Sequence, residues 1–123
     1  MTGKRKRGDF GEEYTARQLM QRGYQIVARN FSKKCGEIDI VAKKDGVLAF
    51  VEVKTRGLFG YQRGALAVDA NKQAKIILTA EKFLEDYADY DETRFDIAEV
   101  TITDSDDPDV VEFSYFEAAF CAN

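Results

Sequence analysis

Two runs rich in β-branched and other apolar residues flank a single turn dipeptide in the middle of the chain. Glu37-Ile38-Asp39-Ile40-Val41-Ala42 lies before Asp45-Gly46, and Val47-Leu48-Ala49-Phe50-Val51-Glu52-Val53-Lys54 follows it. Asp-Gly between such runs predicts a tight type I′ hairpin, because both central residues of that turn need positive φ. A two-residue turn also fixes the register. Lys44 then pairs with Val47 and, counting back, Asp39 with Glu52 and Glu37 with Lys54. Facing Cβ atoms in such a pair lie ~4.5–5.5 Å apart. A four-residue turn would shift the pairing by two and keep these residues on one face, whereas a three-residue loop would break the parity.

The pairing puts two carboxylates opposite each other among Ile38, Ile40, Phe50, Val51 and Val53. Two ionised carboxylates so placed repel. A bound divalent cation resolves the conflict. Mg²⁺ takes oxygen ligands and is typically held by one or two protein carboxylates plus waters and substrate phosphate. Asp39 and Glu52 are therefore the candidate metal ligands, with the Val53 carbonyl as a further one. Such a metal lowers the pKa of a bound water and neutralises charge on a phosphoryl oxygen. Lys54 shares a face with Glu52 and is placed to orient that water or to stabilise the developing charge. Glu37 is expected to hold Lys54. The competing reading of all these residues is a solvent-facing hairpin with alternating charges. Glu-x-Lys alone is a weak motif, but its combination with Asp39 across a hairpin is a stronger one.

The flanking segments predict an α/β domain. Residues 9–22 read as a helix with Phe10, Tyr14, Leu19 and Met20 as its stripe, Asp9 as N-cap and Gly23 as its stop. Residues 24–28 read as a strand and 30–34 as a polar connection. After the hairpin, Gly57, Gly60 and Gly64 mark a loop that also holds Tyr61 and Arg63. An amphipathic helix over residues 69–87 presents Ala74, Ile77, Leu78, Ala80, Phe83 and Leu84. Strands follow over 94–103 and 110–116, the last at an edge, separated by the acidic turn of residues 104–109. The order α-β-β-β-α-β-β implies a mixed sheet with helices packed on it.

Composition narrows the chemistry. The chain has 123 residues, enough for one domain over 1–123, with residues 1–7 as a flexible basic arm. It contains no histidine, which removes His-based triads, His zinc sites and a His general base. Cys35 and Cys121 have no CxxC partner and read as free thiols. The basic N-terminus lacks an apolar run, no stretch approaches a membrane span, and a cytoplasmic protein is expected. The net charge of −4 hides a split. Residues 1–75 carry 16 Lys and Arg against 8 Asp and Glu, and residues 76–123 carry 2 against 14. The first part can present a basic face to phosphates. Arg56, Arg63, Lys72 and Lys75 are candidates to line it, as are Lys4 to Arg7 as a phosphate-binding arm. Tyr61 could stack on a base. Ordinary surface charge and loop packing are the plain alternatives.

Gly8-Asp9-Phe10-Gly11-Glu12, Gly23-Tyr24, Arg29-Asn30, Gly36 to Ala42, Phe50 to Arg56 and Arg94-Phe95-Asp96, in that order, resemble the YraN family of small bacterial proteins. The resemblance runs over most of residues 8–103. It implies an endonuclease-like fold of the PD-(D/E)xK superfamily, similar to archaeal Holliday junction resolvases, with the restriction-endonuclease type of mixed sheet. By that resemblance Asp39, Glu52 and Lys54 form the catalytic core, and Glu12, or failing it Glu13, joins them from the first helix. Ile38 stands where the superfamily name has Pro. Gln73 and Lys72 loosely match a helix position used by some relatives.

The expected function is thus Mg²⁺- or Mn²⁺-dependent hydrolysis of phosphodiester bonds in DNA, including branched or structured DNA. A non-catalytic nucleic-acid-binding or adaptor protein on the same scaffold is the alternative, and an RNA-directed nuclease would use the same site. By analogy with resolvases, two active sites for two strands would favour a homodimer.

Overall fold

The structure, a computed structural model, describes residues 3–58 and 68–122, and for residues 3–8 the helical backbone alone. The elements are α1 (Gly3–Gln21), β1 (Gln25–Lys33), β2 (Gly36–Lys44), β3 (Val47–Gly57), α2 (Ala70–Leu84), β4 (Glu92–Ile102) and β5 (Val110–Phe120). They form one five-stranded sheet in the order β1-β2-β3-β4-β5. β1/β2, β2/β3 and β4/β5 are antiparallel. β3/β4 is parallel, as the α2 crossover requires. The mixed α/β class and the element order agree with the sequence reading.

The hairpin turn forms as expected. Asp45 has φ 52° and Gly46 has φ 81°, the two positive values of a type I′ turn. Gly46 also lies against β4: its carbonyl accepts the backbone N–H of Asp91 at 2.7 Å. A Cβ at Gly46 would collide with the Asp91 carboxylate.

The sheet is covered on both faces. Ala16 and Leu19 of α1 pack with Ile40, Ala42, Ala49, Val51 and Ala98. Ile76 and Ala80 of α2 pack with Val41, Leu48, Phe50, Phe95 and Ile97 on the opposite face. Burial on two faces explains why β3 reads as a nearly continuous apolar run. Helix α1 comes close to β3 where Gly11 meets Thr55, since a Cβ at Gly11 would run into the Thr55 side chain. That approach sets the next residue, Glu12, near the end of the hairpin.

Several boundaries differ from expectation. The helical span begins at Gly3, so Asp9 lies inside α1 and is not its N-cap. Lys and Arg are good helix formers, and the span takes in Lys4 to Arg7, whose side chains lie outside the described residues. Met20 and Leu78, expected on the apolar stripes, are exposed, while Thr15 and Thr79 are buried. The Thr79 hydroxyl satisfies itself within the helix by donating to the Lys75 carbonyl at 2.7 Å. Residues 30–33, expected as a connection, continue β1. An edge strand needs only backbone pairing and one packed side chain, and Phe31 supplies the latter edge-on to Phe83. β5 is longer than expected, running to Phe120.

Arg94-Phe95-Asp96 makes a buried polar knot between β4 and β5. Asp96 is fully buried. It accepts hydrogen bonds from Arg94 Nε at 2.9 Å, Arg94 Nη2 at 3.0 Å, the Tyr115 hydroxyl at 2.6 Å and the Ala118 backbone N–H at 2.9 Å. The knot spans the register shift between Phe95 and Ile97, where Ala118 takes φ 51°. Burial and the Asp96 carboxylate push the Tyr115 hydroxyl well above its ordinary pKa, so it stays a donor.

Candidate metal centre

The β2–β3 ladder runs from Lys44↔Val47 to Ile40↔Val51 and stops there. In this hairpin the pairs 44/47, 42/49 and 40/51 are the hydrogen-bonded ones, so the Val53 N–H would next go to the Ile38 carbonyl. It goes instead to Asp39 Oδ2, at 2.8 Å. The strands part, and a carboxylate fills the gap. The same alternation turns the Val53 carbonyl toward that gap. Asp39 thus lies beside Glu52 as the hairpin arithmetic predicts, but through an opened ladder and not through a regular pair.

The other neighbour of β2 shows why the strand turns here. Arg29↔Ile40 and Phe31↔Ile38 are paired across β1 and β2, which sets Asn30 opposite Asp39. Asn30 has φ 52°. Ile38 joins the α2-side core and Ile40 the α1-side core. Residues two apart on a strand normally share a face. The chain therefore rotates at Asp39, and the rotation frees its side chain from either apolar layer.

Glu52 is 7% exposed and faces the α2 side. Two lysines flank it: Lys72 Nζ lies 3.4 Å from Glu52 Oε2, and Lys54 Nζ lies 3.9 Å from it. Both lysine side chains are close to half exposed. Lys72 is delivered by the first turn of α2. There Asp69 caps the helix by accepting the Lys72 backbone N–H at 2.8 Å.

Burial, before all else, pushes the Asp39 carboxyl up to about 8. The Glu52 charge raises it further, and Glu12 and Glu37 add smaller increments. The Val53 N–H opposes them by favouring the charged form. Among the described residues no three acidic or sulfur ligands converge tightly enough to cage an ion unaided. The donor set on offer is two carboxylates and one backbone carbonyl, with the rest of a coordination shell open. That set suits Mg²⁺ or Mn²⁺, which keep waters and bind phosphate oxygens, better than a metal needing a closed protein cage.

The other expected residues divide. Glu12 comes into the site electrostatically and is held by Asn30, whose Nδ2 donates to it at 2.9 Å. Glu13 does not; Arg29 and Arg17 pair with it and hold its carboxyl below the ordinary range. Glu37 does not hold Lys54. With the ladder opened, it accepts from Asn30 at 3.2 Å, and the Lys54 ion pair runs to Glu52. Arg56 lies two residues past Lys54 and is half-buried, with Nη2 3.7 Å from Glu99 Oε2. Gln73 is committed elsewhere, donating to the Val68 carbonyl at 3.0 Å. Tyr61 and Arg63 lie outside the described residues. Asn30 was not among the expected site residues. Its signal was an αL-tolerant residue inside a run that otherwise continues as strand.

No helix among the described residues is long and apolar enough to cross a membrane. Relatives are numerous. The chain is 45% identical over 92 residues to a UPF0102 protein of Treponema pallidum, covering 73% of each chain. It is 41% identical over 105 residues to one of Trichlorobacter lovleyi, covering 84% of this chain and 83% of that one. It is 45% identical over 95 residues to one of Thermosynechococcus vestitus, covering 74% and 77%. The model of the uncharacterised protein family UPF0102 matches residues 11–100, the stretch that holds the C-terminal part of α1, the opened hairpin and α2, and the chain belongs to that family, also known as YraN.

Proposed function

We propose that this protein is a divalent-metal-dependent nuclease that hydrolyses phosphodiester bonds in DNA. The observation that carries the reading is the opened ladder, where Asp39 and the nearly buried Glu52 face one gap with the Val53 carbonyl. A strand pair built only for stability would not part to admit a carboxylate beside another carboxylate. Asp39, Glu52 and the Val53 carbonyl would hold the ion. A divalent ion so held supplies Lewis acidity at a phosphoryl oxygen and a bound water of lowered pKa. Lys54 and Lys72, both reaching Glu52 and both open to solvent, are placed to orient that water and to meet the phosphate charge. Glu12 adds negative charge from α1.

The acidic second part of the chain favours one rival, a non-catalytic nucleic-acid-binding or adaptor protein on the same scaffold. Cleavage of a labelled panel of duplex, flap and junction DNA, with single-stranded RNA beside it, separates the two in Mg²⁺ or Mn²⁺. The nuclease reading expects cleavage by the wild type and a loss of 10²-fold or more, on the order of one electrostatic transition-state contact, in Lys54→Ala. Binding that weakens steeply with salt, without cleavage on any substrate, selects the rival.

A further inference from the structure

Two acids approach Asp39 from different elements, Glu12 from α1 and Glu37 from β2, and both share one donor. Asn30 Nδ2 lies 2.9 Å from Glu12 Oε1 and 3.2 Å from Glu37 Oε2. A side-chain amide nitrogen carries two hydrogens and can serve both oxygens. Asn30 occupies the β1 position opposite Asp39 with φ 52°, a conformation Asn adopts more readily than most residues.

The neighbouring acid shows what the chain does otherwise. Glu13 is one residue away and has Arg29 Nη1 at 2.9 Å and Arg17 Nε at 3.1 Å. Its charge is cancelled. Among the described residues no ion pair reaches Glu12 or Glu37. A lysine or arginine at position 30 could hold both acids too, but it would neutralise them. An amide holds them and leaves the charge in place.

We propose, on the reading of Asp39 and Glu52 as a cation site given above, that Asn30 is a positioning residue. Its amide clamps Glu12 and Glu37 beside Asp39 without neutralising them, and so raises the affinity of the Asp39–Glu52 pair for a divalent cation. Partners that orient groups around a metal commonly change its affinity by 10–100-fold. The clamp also ties α1 to β2 across the place where β2 leaves β3.

Mn²⁺ affinity, measured by titration calorimetry on the full chain, tests this. Asn30→Gly removes the amide and tolerates the positive φ, so the fold is retained. Thermal unfolding of each variant without metal is recorded alongside. The expected result is Mn²⁺ binding weakened about 10-fold in Asn30→Gly. In a Glu12→Gln, Glu37→Gln background the same substitution should change affinity by less than about 2-fold, since the groups it acts through no longer carry charge. Unchanged Mn²⁺ affinity in Asn30→Gly overturns the proposal. So does an equal weakening in both backgrounds, which would mark a general structural role. Both outcomes leave the cation site intact. A wild type with no Asp39-dependent Mn²⁺ binding removes the cation site and the clamp together.

Discussion

Replacing Asp39 by Asn should stabilise the metal-free protein at mildly alkaline pH. The Asp39 carboxyl titrates near 8 in the folded chain, against an ordinary value of 3.8, because it is buried beside Glu52. A carboxyl whose folded pKa is raised holds its proton when the unfolded chain has released it. The resulting cost is absent below about pH 4, grows through the interval, and is complete by about pH 8. At ~1.4 kcal/mol per pH unit the ceiling is roughly 6 kcal/mol; relaxation of the opened strands and water entry should leave a measurable cost of about 2 kcal/mol. An Asn at the same place cannot ionise, and its Oδ can still accept the Val53 N–H. Urea unfolding in EDTA should therefore show the wild type losing stability from about pH 5 to about pH 8, with Asp39→Asn nearly flat. The variant should be the more stable of the two at the upper end. Mn²⁺ should reverse the order, because an ion at 100 times its Kd adds ~2.7 kcal/mol to the species that binds it. A wild type whose stability is flat over this range, or an Asp39→Asn variant that is less stable at about pH 8 without metal, would refute the account of the buried pair.

The remaining predictions concern the lysine beside Glu52 and the polar knot. Lys72→Ala removes the cation 3.4 Å from Glu52. It should tighten Mn²⁺ binding and at the same time weaken DNA binding across sequences, lowering the salt slope by about 1; calorimetry and salt-series titrations read the two effects. Asp96→Ala takes from the half-buried Arg94 its buried carboxylate, leaving it the Tyr24 hydroxyl and Glu117 at 3.8 Å, and strands the Tyr115 hydroxyl and Ala118 N–H. The expected loss is about 3–5 kcal/mol in urea unfolding, against about 1 kcal/mol for Tyr115→Phe, which removes one hydrogen bond.

How far the sequence could be read depended on which force placed each residue. The hairpin was legible because Asp45-Gly46 dictates local dihedrals, and local dihedrals dictate register. The helix–sheet order was legible because apolar period separates helix from strand. Boundaries were less so. Residues 30–33 are polar apart from Phe31, yet they pair as an edge strand through backbone groups that carry no side-chain signature. Thr79, a polar residue outside the apolar set expected for α2, is buried with its hydroxyl bonded within its own helix.

The site divides along the same line. Asp39, Glu52 and Lys54 follow from strand parity, and parity survives a change of pairing. Their partners do not follow. Glu37 opposite Lys54 presumed a ladder continuing past Ile40, and that ladder opens. The opening depends on a rotation of β2 that puts Ile38 and Ile40 into different cores, and on an Asn at positive φ in the neighbouring strand. Such a rotation is a compromise among three strands and two helices, and no window of sequence contains all of them. A carboxylate that takes a backbone N–H from the interrupted ladder is its visible product. The opening replaces one ladder bond with one to a side-chain carboxyl oxygen, and it sets that carboxyl where burial makes ionisation costly. The same local departure from regular sheet thus accounts for Asp39 reaching the gap, for its reluctance to ionise alone, and for the room that a cation and its waters would need.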